Sequence, residues 1–330
     1  MKKLLVALLV VCLFGCENSN EIIEDNQINE EIVENNPDEN QDSFNSEYEE
    51  LLKCNGADEN KLEEYIKFYG VFDNEKIVYL VNNGYLNEGN IDTIKELYAN
   101  EYYLSKNEEL YLKYLNEYDS VRDCIEAVNT KTYQEYYTNI EDTDTSKNYL
   151  MLINKYHCLS SDYEPEDLVD IDPYYGRGQT RSEVYEQYKK MADDAFELGY
   201  SFLICSAYRS YDYQDGLYNK YLNSDPLGQE SVDTYSARPG HSEHQSGLCL
   251  DLSDAVYGMD NFGLSEASTW INENCYKYGF IIRYTEEKQA ITGYEAEPWQ
   301  VRYVGSEEVA KDILDRGITF DEYYACFVEE

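Results

Sequence analysis

Apolar residues recur at three- and four-residue spacing through the first part of the chain, the period of an amphipathic helix. In "DENKLEEYIKFYG" the apolar positions are Leu62, Tyr65, Ile66 and Tyr69, and Gly70 supplies a stop. In "NIDTIKELY", Asn90 is a candidate N-cap ahead of a stripe of Ile91, Ile94, Leu97 and Tyr98. "EELYLKYL" and "DSVRDCIEAV" repeat the pattern, the latter behind a capping Ser120. These short helices predict a small all-α arm over 46–145. Their tyrosine stripes read first as packing, with a sugar-stacking surface as the alternative.

The pattern changes near Lys147. "NYLMLINKYHCL" is densely apolar and predicts a strand, "DPYYGRGQT" a loop, and "SEVYEQYKKMADDAFELGY" a helix capped by Ser182 and ended by Gly199. "SFLICSAYRS", "GLCLDLS", "FIIRYT" and "WQVRYVG" predict further strands. Helices are predicted over "YDYQDGLYNKYL", "SEASTWINENCYKYG" and the closing "SEEVAKDILDRG". Strands and helices mix without regular alternation, so an α+β domain is expected over 146–330.

The leader changes the picture of where this domain works. Lys2 and Lys3 precede an apolar run from Leu4 to Phe14, the layout of a secretory signal and too short to span a bilayer comfortably. The ending Leu13-Phe14-Gly15-Cys16 resembles the bacterial lipobox. That resemblance implies a lipoprotein signal peptide over 1–15 and a lipid on Cys16; an ordinary signal or an uncleaved anchor is the alternative. Residues 16–45 are rich in Asp and Glu, carry no Lys or Arg, and have too little to bury, so they read as an acidic disordered tether. The expected location is the outer face of the cytoplasmic membrane.

The whole chain carries 26 basic against 67 acidic residues, a formal charge of −41. Such a field repels phosphate backbones and makes nucleic acid an unsuitable partner. Apart from Cys12 and Cys16 there are seven cysteines, none in a CxxC pair, so cysteine-zinc spacing is absent. Cys205 and Cys249 fall in apolar runs and read as small buried hydrophobes.

Only three histidines occur, His157, His241 and His244. Asp251 follows His244 by seven positions, in a strand whose neighbours Leu248, Leu250 and Leu252 are apolar. A carboxylate so placed needs a metal, an arginine or a hydrogen-bond donor. On spacing alone, a metal site at His244 and Asp251 and an ion pair of Asp251 with an arginine remain equally open.

Three blocks, "SAYRSYDYQ", "RPGHSEHQSGLCLDLS" and "GFIIRYTEEKQAITGYEAEPWQVRYVG", resemble the signatures of the VanY-type zinc D-alanyl-D-alanine carboxypeptidases and their L,D-carboxypeptidase relatives. The resemblance runs from about Lys147 to Val304 and implies the Hedgehog/DD-peptidase fold. It implies His244 and Asp251 as zinc ligands, Glu297 as general base, Arg209 as the group that polarises the scissile carbonyl, and Gln214 and Ser242 as peptide contacts. It leaves His241 and His157 without a metal role. Where the family has its third ligand, a histidine, this chain has Gln300. An amide oxygen is a poorer donor than imidazole nitrogen for Zn2+, so a weakened zinc site is expected. Three readings follow: a tethered peptidase acting on peptidoglycan stem peptides, a degenerate module that binds them uncut, and an adaptor working through the helical arm.

Overall fold

The computed structural model describes residues 48–329. The expected signal peptide, Cys16 and the acidic tether lie outside the described residues. The described residues divide into two compact units, 48–78 and 79–329.

In the first unit, Leu62–Ile66 forms a short helix (α1). Tyr65 and Phe68 are buried, whereas Tyr69, expected on the inner stripe, is exposed. Five residues make little more than one turn, too short to hold the longer stripe on one face. Helix α2, Asn74–Asn82, runs across the division.

The second unit continues with helices α3 (Ile91–Ala99), α4 (Glu108–Tyr114) and α5 (Val121–Asn129). They bury Ile94 and Leu97, Tyr111 and Leu112, and Cys124, Ile125 and Val128, which is the packing use of the stripes. Ser120 caps α5 by accepting from the Asp123 amide at 3.1 Å. Asn90 stands at the start of α3 but turns its amide to the preceding loop, bonding the Asn87 amide and the Tyr85 carbonyl.

The chain then forms a small parallel pair, β1 (Glu141–Asp142) with β2 (His157–Cys158). A strand over the whole of 148–159 does not form. Residues 145–150 take a 3-10 turn, and 151–156 run buried but irregular. Their carbonyls are satisfied by side chains instead of a ladder: Arg302 donates to Tyr149 and Met151, and Thr143 to Leu152.

β3 (Leu168–Asp170) pairs with β4 (Gln179–Arg181), which leads into α6 (Ser182–Glu197). Ser182 is the first residue of α6 and not its cap; Arg181 precedes it, its side chain held by Asp167 at 2.8 Å. α6 buries Val184, Tyr188, Met191 and Ala195 at helical spacing. Next come β5 (Leu203–Ser206), α7 (Tyr211–Ser224), α8 (Gln229–Tyr235), β6 (Cys249–Ser253), α9 (Glu266–Asn274), β7 (Phe280–Ile282), α10 (Gln289–Thr292) and β8 (Gln300–Tyr303).

One antiparallel sheet in the order β5-β6-β8-β7 carries the core. Leu248, Leu250 and Leu252 are fully buried on one face against Val184, Tyr188, Phe262 and Ile271. Burying each such leucine contributes about 1.5–3 kcal/mol. Asp251 therefore points to the opposite face. The expected closing helix, α11 (Glu307–Arg316), is followed by one the periodicity had not revealed, α12 (Phe320–Phe327), which opens on a Thr319–Glu322 capping box. The architecture is the expected α+β domain with helices before it. Cys124, Cys249 and Cys275 are buried thiols, and the seven described cysteines are free. Among the described residues no helix is long and apolar enough to cross a membrane.

Candidate active site

Sheet register brings the polar residues together. Asp251 in β6 lies directly opposite Gln300 in β8 and opposite Ser206 in β5. Residues directly opposite one another share a face, with Cβ atoms about 5 Å apart. The Gln300 amide thus stands beside the Asp251 carboxylate. His244 reaches the same place from the turn before β6. That turn closes at Gly247, φ +66°, where a Cβ would come within 3.0 Å of Arg181 and 3.2 Å of Leu168. Its left-handed backbone lets the chain reverse from the histidine into the strand.

His244 Nδ1 donates to the Ala207 carbonyl at 2.6 Å, and its Nε2 is turned to Asp251 Oδ2 at 3.3 Å. Arg209, on the loop between β5 and α7, donates to the same Oδ2 at 2.5 Å and to Ser206 Oγ at 3.0 Å. Its Nη1 lies 3.5 Å from Gln214 Oε1, and Gln214 in turn donates to the Ala237 carbonyl at 2.8 Å. Both partners considered for Asp251 are therefore at hand, the arginine and a histidine nitrogen suited to a metal. Burial opposes ionisation of Asp251, but His244 and Arg209 outweigh it and hold the carboxyl below its usual range. Glu297 is pushed the other way, up to about 8, by burial first and then by the negative charge of Asp251, with Arg209 opposing.

Arg209, Gln214, Ser242, His244, Asp251, Glu297 and Gln300 all line one cleft of about 300 Å³. Every candidate residue read from the sequence inside the described part converges there. His241 stays out of the site, its Nδ1 bonded to the Asn154 carbonyl at 2.8 Å.

Other residues at the cleft were not legible as site residues. Tyr284, Tyr294 and Trp299 supply aromatic walls. Glu243, beside His244, is buried between Arg302 at 2.6 Å and Arg283 at 2.9 Å, and Arg283 continues to Asp321 of α12 at 2.6 Å. These two arginines and two carboxylates balance one another behind the site. The signal available was weak: four charged residues in otherwise apolar surroundings.

The zinc set implied by the resemblance can be tested on the residues present. Asp251 Oδ1 is buried with no hydrogen-bond partner, so the carboxylate keeps an uncommitted donor. The Ala207 carbonyl holds His244 Nδ1 and fixes the ring, as a carbonyl does behind a metal-binding imidazole. The donors fit a cation, with an amide as the third ligand. A second group of candidate ligands, Glu141, His157 and Glu329, lies elsewhere. There Lys131 sits 2.6 Å from Glu141 and 3.4 Å from His157 Nε2, and Lys106 sits 3.1 Å from Glu329. Those lysines already meet the charge and the lone pair.

The sequence model of the VanY family, D-alanyl-D-alanine carboxypeptidase, matches residues 177–306, a span that contains all seven candidate site residues. The D-alanyl-D-alanine carboxypeptidase of Enterococcus faecium is 31% identical over 250 residues, covering 67% of this chain and 78% of that one. The chain belongs to the VanY family. YodJ of Bacillus subtilis (strain 168) is 37% identical over 205 residues, covering 58% of this chain and 74% of that protein. Among solved structures, the LdcB LD-carboxypeptidase matches with a TM-score of 0.51 at 36% identity, covering 57% of this chain and 91% of that one. VanY membership places this chain in the D-alanyl-D-alanine carboxypeptidase class, and LdcB is described as an LD-carboxypeptidase that recognises peptidoglycan.

Proposed function

We propose that the chain is a membrane-tethered carboxypeptidase that removes the terminal D-alanine from peptidoglycan stem peptides, at a zinc site weakened by Gln300. The observation that carries this reading is the convergence of a base, a cation and two good metal donors on one cleft. His244 Nε2, Asp251 and the Gln300 oxygen would hold the ion. Bound zinc would supply Lewis acidity and a water of lowered pKa. Glu297, whose carboxyl burial and Asp251 push up to about 8, is suited to take a proton from the attacking water and return it to the departing amine. Arg209, fixed by Ser206 and Asp251, presents positive charge where the carbonyl oxygen becomes an oxyanion. Gln214 and Ser242 supply polar contacts for the peptide end.

The binding-module reading has one observation in its favour, the amide at position 300. The deciding experiment incubates the purified protein with a stem pentapeptide, in zinc and in chelator, and follows D-alanine release and peptide binding. Release in zinc that stops in chelator is expected. Binding without release under both conditions would establish the binding module, and neither binding nor release would leave the adaptor.

The anchor is tested separately. With the lipobox-like ending as its basis, Cys16→Ser should move the protein out of the membrane fraction or leave its leader uncleaved. A processed, fully membrane-bound Cys16→Ser protein would refute lipidation at this residue.

A further inference from the structure

The stretch that precedes the family-matched segment reaches the cleft from behind. Tyr137 has φ +61°, a left-handed conformation that a bulky residue adopts only under strain. The strain accompanies a specific set of contacts. Tyr137 Oη lies 3.2 Å from the Oη of Tyr294, which lines the cleft. Its ring sits 3.9 Å from the Arg238 guanidinium and stands edge-on to His241 at 5.0 Å. Beside it is the ammonium of Lys155, 3.9 Å from the centre of the Tyr294 ring, 4.9 Å from Tyr137 and 5.0 Å from Tyr136. That ammonium also donates to the Asp233 carbonyl.

Lys155 is only 2% exposed, and burial lowers its pKa to about 8. A core position that needed only volume would take Leu or Met without the cost of burying a charge. Here three π faces and a carbonyl answer the charge. The neighbouring chain is shaped around it. A Cβ at Gly293 would come within 2.4 Å of Lys155 and 2.7 Å of Tyr136. Tyr294 follows that glycine, and Glu297 lies three residues further along the same loop.

We propose that Lys155 and Tyr137 are positioning residues for peptide binding, clamping Tyr294 and so setting the wall of the cleft and the loop that carries Glu297. The inference takes its ligand from the peptidase reading, and two measurements keep them separable. One is amide hydrogen exchange across 292–299 in the full chain without peptide. The other is Kd, KM and kcat for a stem pentapeptide on the zinc-loaded protein.

Lys155→Met should speed exchange across 292–299 by about tenfold or more, with β6 unchanged. It should raise Kd and KM about tenfold while kcat moves far less. Lys155→Arg, which keeps the cation, should recover much of the loss, and Tyr137→Phe should fall between. Unchanged exchange across 292–299 would overturn the clamp. So would exchange that rises equally through β6, or a loss of kcat with KM unchanged. If the wild type binds no pentapeptide, the peptidase reading fails and the exchange result alone decides the clamp. If Lys155→Met does not fold, the Lys155→Arg and Tyr137→Phe proteins decide by the same criteria.

Discussion

Gln300→His is expected to tighten zinc binding by on the order of 100-fold and to raise D-alanine release with it. The argument is local. Position 300 faces Asp251 directly across the β6–β8 ladder, and His244 Nε2 already lies 3.3 Å from the same carboxylate. An imidazole there adds a nitrogen donor where the chain has an amide oxygen, and both are neutral, so the formal charge of the site does not change. The neighbours that hold the strand, Val301 and Arg302, are untouched. Bound zinc, measured by chelator competition, and product release, measured on the same samples, test this. Should Gln300→His gain neither, the site has lost more than its third ligand, and the binding-module reading takes precedence. If wild type already holds zinc tightly and turns over, the amide is a competent ligand and the account of its weakness is wrong.

Glu297→Gln is expected to lower turnover by roughly 10²–10⁴-fold in wild type, and in the Gln300→His background to remove that variant's gain, because the amide cannot accept the water proton. Loss of folding is the obvious alternative cause, and pH distinguishes them. In the metal-free protein burial and Asp251 raise the Glu297 pKa from the usual 4.5 to about 8. Between those values the native protein holds a proton that the unfolded chain has released, so this group makes stability fall as pH rises through that window. Glutamine removes the effect. Metal-free Glu297→Gln should therefore match wild type near pH 4 and exceed it by a few kcal/mol near pH 8, as read from denaturant midpoints at both values. A variant that is inactive and also less stable at pH 8 would mean that Glu297 is structural.

Much of the fold and the site was legible because it rests on short-range relations. Helical spacing located α3, α5, α6 and α11, and the alternation around Asp251 located β6. The seven candidate site residues were read from three ordered blocks through their resemblance to the VanY family. Gln300, the altered ligand, was visible in a linear reading. The strand expected over 148–159 failed for the opposite reason: an apolar run predicts burial, but its backbone partners are the side chains of Arg302 and Thr143. Nothing near 150 in the sequence names them.

By itself, then, the sequence determined the α+β class, the acidic charge of the chain and the set of groups available for chemistry. Periodicity, capping and motif spacing act within a few residues of one another. Only the tertiary structure decided how those groups are used. The pairing of Asp251 with Gln300 and Arg209 depends on strand register and on a loop 42 residues away. The burial of Glu243, Arg283, Arg302 and Asp321 together, and of Lys155 among three tyrosines, depends on partners far apart in the chain. A charged side chain reads as solvent-exposed until its partner is known, because a charge can leave water only where another group answers it.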